Sequence, residues 1–364
     1  MRANRLHRAF HLSISLTLLF WSCDAPARFD IERAPAPLFR DPVYDGAADP
    51  SVIHDHQTDE WLIFYTQRRA ALELKGTEYC YGTAIGIAAS ADNGKTWTYR
   101  GTAELPAPAD GPSTFWAPQV FRNPDDGSWH MIVSYIKGVF DNWGGERKIF
   151  HYISPDLSRW EQVPSDGIDG CIDASVAKLP DGTWKMWFKD ESHGSFTYTA
   201  SSPDLIHWTR HTAGKDSLGN ILFRPEISNR RHEAPIVFRW KDQWWMITDP
   251  TYEEYTGLDV FSSSDASRWI HRGTILDRPG RRPDDNDQGR HADIQVIDDR
   301  AFIFYFTHPG RIYDRPGASI PGLPSEDPDE NRLRYRRSSL QVAELELIDG
   351  KVVCNRDKFA KVPD

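Results

Sequence analysis

Asp173-Ala174-Ser175-Val176-Ala177-Lys178-Leu179-Pro180-Asp181-Gly182-Thr183-Trp184-Lys185-Met186-Trp187-Phe188-Lys189 decides the fold, because its parts recur along the chain. A lead residue and a small residue open a short strand, Pro180-Asp181-Gly182 supplies a tight turn, and an aromatic-rich second strand follows. Asp and Gly tolerate the positive φ that tight hairpins need. Aromatic and β-branched residues mark half-buried strands. The lead returns as Asp49-Pro50-Ser51-Val52, Trp116-Ala117-Pro118-Gln119, Glu233-Ala234-Pro235-Ile236 and His291-Ala292-Asp293-Ile294. Successive leads lie about sixty residues apart, and a fixed period of this kind signals a repeat architecture.

Working outward, the second strands are expected at Trp61–Thr66, Trp129–Tyr135, Trp184–Lys189, Trp244–Thr248 and Ala301–Thr307. A third strand closes on Ser, Asp and then Trp, at Ser90-Ala91-Asp92 to Trp97, Ser154-Pro155-Asp156 to Trp160, Ser202-Pro203-Asp204 to Trp208 and Ser264-Asp265 to Trp269. The fifth unit lacks this phrase; its third strand is predicted over Tyr335–Leu347, after a polar insertion at Arg311–Asn331. Four strands per unit about an axis predict an all-β, five-bladed β-propeller with four-stranded antiparallel blades. A β-sandwich predicts no such spacing. One blade alone buries too little apolar surface, so residues 38–364 read as a single domain. Ring closure draws on Phe29–Phe39 or on Lys351–Val353.

The 364 residues are 39% hydrophobic and 26% charged, as in ordinary globular chains. A net charge of −10 argues against a nucleic-acid partner, since a phosphate backbone is repelled. At the N-terminus Arg2, Arg5 and Arg8 precede the apolar run Phe10–Trp21, which reads as an export signal over residues 1–23, with 24–37 as a linker. Cys23 follows Leu19-Phe20-Trp21-Ser22 and resembles a lipoprotein cleavage site, with Phe20 where Leu is usual; the exported chain is then a periplasmic or outer-surface lipoprotein, or else a secreted protein. Cys80, Cys171 and Cys354 are an odd number, open to one disulfide plus a thiol or to three buried thiols.

Innermost strands line a propeller's channel, so equivalent leads converge there. Three of the five leads are acids: Asp49, Asp173 and Glu233. Grouped carboxylates repel, which pushes one of them to keep its proton. A protonated carboxyl beside an ionised one is what glycosidic cleavage requires. Fourteen tryptophans are present. Trp61, Trp129, Trp184 and Trp244 recur at one blade position and Trp97, Trp160, Trp208 and Trp269 at another, so these eight are expected between blades. Trp116 and Trp143 remain as candidates for stacking on a sugar.

Ala48-Asp49-Pro50-Ser51, Ile172-Asp173-Ala174-Ser175 and Glu233-Ala234-Pro235 resemble the three catalytic motifs of glycoside hydrolase family 43, a family of five-bladed propellers. Phe115-Trp116-Ala117-Pro118 resembles its second-blade sugar-lining segment, and the likeness spans residues 38–350. The resemblance implies an inverting, exo-acting glycosidase for terminal arabinofuranosyl, xylosyl or galactosyl units, with an oligosaccharide as partner. Asp49 is then the base, Glu233 the acid, and Asp173 the residue that orients Glu233 and holds its pKa up. Gln119 departs from the family, where many relatives carry an acid. His232-Glu233 is similar instead to family 117, whose known members remove 3,6-anhydro-L-galactose from agar oligosaccharides and where a histidine has been implicated in proton donation. His232, His291, Arg290 and Gln119 join Trp116 and Trp143 as substrate-binding candidates. No cofactor is required; a calcium or other divalent ion in the central channel, near His291, is an expectation from relatives.

Two other classes compete. A non-catalytic carbohydrate-binding propeller needs no axial acids. A sialidase is suggested by Ser90-Ala91-Asp92-Asn93-Gly94-Lys95-Thr96-Trp97, but its six blades and arginine triad are not visible.

Overall fold

A computed structural model describes residues 28–108, 110–164, 168–215, 221–223, 225–227, 231–251, 257–311 and 329–360. The expected signal, Cys23 and most of the insertion lie outside them. Five four-stranded antiparallel sheets form the five blades. Blade 1 is β1 (Ala47–Asp55), β2 (Glu60–Gln67), β3 (Ala84–Ser90) and β4 (Thr98–Thr102). Blade 2 is β5 (Ser113–Arg122), β6 (Trp129–Lys137), β7 (Arg147–Ser154) and β8 (Glu161–Val163). Blade 3 is β9 (Cys171–Lys178), β10 (Trp184–Asp190), β11 (Phe196–Ser202) and β12 (Thr209–Arg210). A small hairpin of β13 (Thr212–Lys215) and β14 (Ile221–Phe223) precedes blade 4, which is β15 (His232–Trp240), β16 (Gln243–Pro250), β17 (Leu258–Ser263) and β18 (Ile270–Ile275). Blade 5 is β19 (Arg290–Ile297), β20 (Arg300–Thr307), β21 (Ser339–Ile348) and β22 (Lys351–Cys354).

The fifth unit corrects the sequence reading in one place. Residues Asp329–Arg336 form helix α1, so Tyr335 is helical and the third strand begins at Ser339. Lys351–Cys354 supplies that blade's outer strand, while closure runs through Phe39 bridging Leu340 and Gly46 bridging Ser338. In blade 4 the serine that caps the Asp265 turn is Ser263, not Ser264, which makes the Ser-to-Asp spacing two in all four units.

Each apolar cluster lies between blades, which is why no blade stands alone. Trp129 and Trp160 pack with Phe64 and Ile85 between blades 1 and 2, and Trp184 and Trp208 with Ile132 and Ile149 between blades 2 and 3. Every fully buried large apolar side chain contributes about 1.5–3 kcal/mol. Six of the eight repeating tryptophans are buried, and Trp97 and Trp269 are partly so. Phe29 enters the seam between blades 5 and 1, 5.4 Å from the rings of both Trp61 and Phe304, and Ile31 is buried in the same cluster. Among the described residues no helix is long and apolar enough to cross a membrane.

Candidate active site

All five innermost strands break register at the same point. The shifts fall between Ala48 and Ser51, Trp116 and Gln119, Ile172 and Ser175, Glu233 and Ile236, and Arg290 and Asp293. Each is a β-bulge, a device that bends a strand and re-aims side chains. The first bulged residue has a positive φ every time: Asp49 at 50°, Ala117 at 48°, Asp173 at 57°, Ala234 at 52° and His291 at 38°. Left-handed backbone at non-glycine residues is uncommon and costs about 1–2 kcal/mol, so five in one ring mark a place held by its surroundings.

The bulges also correct the alignment of the leads. Asp49, Asp173 and His291 are bulge residues, whereas Trp116 and Glu233 stand one residue earlier, level with Ala48, Ile172 and Arg290. The three acids therefore reach the axis from two adjacent levels, not one.

They do converge. A cavity of about 540 Å³ opens over the axis, lined by Asp49, Asp173, Glu233, Trp116, Trp143, Arg290 and His291 from the sequence candidates. Arg68, Arg147, Lys189, Glu191, Asp249, His308 and Arg311 line it as well. Arg68 Nη2 donates to both oxygens of Asp49, at 3.0 and 3.1 Å. His291 Nδ1 lies 3.4 Å from Asp49 Oδ1. Lys189 Nζ donates to Glu233 Oε2 at 3.0 Å and lies 3.2 Å from Glu191. Glu191 pairs in turn with Arg147, which donates to the carbonyls of Gly145 and Trp143. One chain of charges thus ties Glu233 to the Trp143 loop.

Proton affinities follow from these neighbours. Burial pushes the Asp49 carboxyl up, but Arg68, His291 and the Thr66 hydroxyl outweigh it, so Asp49 stays below the usual carboxylate range and ionised. Burial, with the charges of Glu233 and Asp49, pushes Asp173 up to about 7. Burial would raise Glu233 too, yet the Lys189 ammonium wins and holds it down. Asp249 is pushed up to about 7 by burial and by Glu233. Burial opposes the imidazolium of His291, but Asp49, Asp173, Asp249 and Glu233 together raise it. In the resting cavity the Lys189 ammonium favours the ionised form of Glu233, while burial favours the protonated forms of Asp173 and Asp249.

The aromatic candidates form one wall. Trp116 is buried with Nε1 donating to the Cys80 carbonyl, and Trp143 is 56% exposed at the rim. Their ring centroids are 6.1 Å apart at 76°, with Tyr81 packed edge-on to Trp116.

Two candidates lie elsewhere. His232 is fully buried, with Nε2 3.0 Å from Asp259, so its ring has no access to the cavity. Gln119 spans the seam to blade 3, accepting from Val176 N at 2.6 Å and donating to Val176 O at 3.3 Å. It belongs to a second ring below the bulges. There Ser51 accepts from Val120 N, Ser175 from Val237 N and Asp293 from Val52 N. Cys80, Cys171 and Cys354 are free thiols.

The residues near His291 do not fit the calcium ion among the expected divalent ions. Calcium takes six to eight oxygen ligands; His291 offers nitrogen, both Asp49 oxygens are held by Arg68, and among the described residues no group of three or more His, Cys, Asp or Glu is arranged around an ion.

Lys189 and Asp249 are not among the sequence candidates, although the repeat contains their signal; Arg68, just past β2, has none. The second-strand residues facing the positions just before the bulges are Thr66, Ser134, Lys189, Asp249 and Phe306, and two of these are charged in a buried sheet.

No family profile and no curated protein sequence matches the chain. Solved structures do. A thermostable family-43 glycoside hydrolase superposes with a TM-score of 0.57 at 16% identity, covering 89% of this chain and 98% of its own. A GH43 β-xylosidase/α-arabinofuranosidase from a compost microbial metagenome, solved with xylotriose, gives 0.57 at 15%, covering 90% and 97%. An endo-arabinase from Bacteroides thetaiotaomicron VPI-5482 gives 0.53 at 16%, covering 86% and 99%. These neighbours establish the five-bladed fold.

Proposed function

We propose that this chain is a glycoside hydrolase whose active site is the axial cavity. The single observation that carries the reading is the meeting of Asp49, Asp173 and Glu233, remote in sequence, under an aromatic wall in that cavity. The solved neighbours named above include a β-xylosidase/α-arabinofuranosidase in complex with xylotriose and an endo-arabinase, which supports the same class of chemistry.

Asp49, kept ionised by Arg68 and His291, takes a proton from water as the water oxygen attacks the anomeric carbon. Glu233 gives its proton to the departing glycosidic oxygen. One proton comes in and one goes out, so the carboxyls exchange states in each turnover. Since Glu233 rests ionised against Lys189, the proton held at neutral pH belongs to the cluster of Asp173, Glu233 and Asp249 rather than to one member. Hydrolysis requires it on Glu233 as the leaving oxygen arrives. Trp116 and Trp143 offer ring faces to the apolar side of a sugar. The reading adopted is an inverting, exo-acting enzyme on terminal arabinofuranosyl, xylosyl or galactosyl units. The burial of His232 removes the residue that favoured an anhydrogalactosidase.

A panel of aryl arabinofuranosides, xylosides and galactosides, together with agar-derived oligosaccharides, tests the proposal. Release of a terminal sugar that Asp49→Asn or Glu233→Gln abolishes is the expected result. Sugar affinity by calorimetry with no product after long incubation overturns it in favour of a binding propeller. Export with lipidation at Cys23 is a separate proposal, supported by the Arg2–Trp21 pattern. Mass spectrometry of the mature N-terminus checks it, and a chain retaining Met1 in the cytoplasm contradicts it.

A further inference from the structure

At each seam a second-strand residue of one blade faces the bulge of the next. Between blades 1 and 2 it is Thr66, whose hydroxyl oxygen accepts from Ala117 N at 2.8 Å. Between blades 2 and 3 it is Ser134, accepting from Asp173 N at 2.9 Å. Between blades 5 and 1 it is Phe306, covered by the Arg68 guanidinium 4.8 Å away. A neutral residue therefore satisfies the architecture. The two seams that flank Glu233 depart from this. Lys189 occupies the position before it and binds its carboxylate. Asp249 occupies the position after it, directly across the sheet from Glu233, and both its oxygens accept from His291 N at 3.1 Å. Both residues are buried, where an unneeded charge is expensive.

We propose that Lys189 and Asp249 are positioning residues of opposite charge, substituted for neutral latches at the two seams beside Glu233, that together decide when Glu233 carries the catalytic proton. The proposal rests on the glycosidase reading of the same cavity. Lys189 draws the proton off Glu233 in the resting site; Asp249 keeps a proton within reach by adding a second carboxyl across the strand pair. The other groups that face Glu233 are Asp49 from β1, Asp173 from β9 and the His291 imidazole from β19. Beyond them Glu191 shares Lys189, Arg147 pairs with Glu191, Arg68 pairs with Asp49, and Arg290 faces Asp249.

Asp249→Thr installs the fold's own neutral latch, as at Thr66, and Lys189→Met keeps the side chain's length without its charge. The readout is the uppermost carboxyl titration of the cavity, followed by carbon-13 NMR on protein labelled at Asp and Glu and assigned by difference against Glu233→Gln. Removing an anion lowers the proton affinity of the cluster and removing a cation raises it, so the step moves down in Asp249→Thr and up in Lys189→Met, each by about one pH unit. On a substrate that the wild type cleaves, the alkaline limb of kcat/KM moves in the same two directions. Unchanged steps, or steps that move the same way in both variants, overturn the proposal. Asp249→Asn, which keeps an acceptor oxygen for His291 N, replaces the threonine variant if that one does not fold. Absence of hydrolysis across the substrate panel overturns the glycosidase reading alone, because the NMR titration needs no substrate.

Discussion

Asp49 and Asp293 are both aspartates on innermost strands, both buried, and they serve different layers of the same ring. Asp49 sits in a bulge, faces the cavity and is held ionised by Arg68 and His291. Asp293 directly follows the bulge of blade 5 and accepts the Val52 N–H at 2.6 Å, closing the ring between the last blade and the first. The lower layer asks only for an acceptor, and Ser51, Gln119 and Ser175 supply it elsewhere. An acid on an inner strand is therefore not a functional acid by residue type. Its place relative to the bulge decides.

Substitutions in the two layers should separate rate from stability. The largest effect belongs to the upper layer: Glu233→Gln and Asp49→Asn are expected to lower kcat by about 10²–10⁴-fold while urea midpoints stay near wild type. A large loss of stability instead would break the division. The seams should do the reverse. Trp129→Ala, at a side chain only 4% exposed between blades 1 and 2, is expected to cost about 3–5 kcal/mol in urea unfolding, with the pH profile of the surviving activity unchanged.

Asp293 sharpens the comparison further. Asp293→Ala leaves Val52 N without its acceptor and is expected to cost about 1–3 kcal/mol. Burial pushes this carboxyl up to about 7 despite the N–H groups of Val52 and Ile294. Its folded pKa is above its unfolded value, so the unfolded chain releases the proton first and the carboxyl destabilises the fold increasingly as pH rises from about 4 to about 7. Melting curves of Asp293→Asn and wild type at pH 5 and pH 8 should show the difference shifting in favour of the variant at the higher pH. The smallest effect is expected at Gln119. Gln119→Ala should cost about 1 kcal/mol of stability and leave KM unchanged. A raised KM would return Gln119 to the substrate site.

Much of this is legible in the sequence. The period near sixty residues, the turn residues and the tryptophans are local features, and they carried the blade count and most strands. Tyr335 was misread because an aromatic beside a strand carries no mark of where a preceding helix ends. The convergence of the three acids on one cavity is legible because their motifs are short, contiguous and repeated. Their levels were misjudged by one residue at Trp116 and Glu233, since a bulge is a matter of backbone pairing that side-chain identity does not encode. His232 looked functional through its neighbour Glu233, but adjacent strand residues point to opposite faces, and one face here is sealed by Asp259. Lys189 and Asp249 lay hidden because their meaning is relative: a lysine or aspartate ending a strand looks ordinary until set beside Thr66, Ser134 and Phe306.

The central claim is that the acids in the upper layer hydrolyse a glycosidic bond with water delivered opposite the leaving group. Proton NMR of the first-formed sugar, recorded during turnover of a cleaved aryl glycoside before mutarotation, tests it most directly. The account predicts release of the anomer opposite to that of the substrate. Release of the same anomer, or a rate in Glu233→Gln equal to wild type, would contradict it.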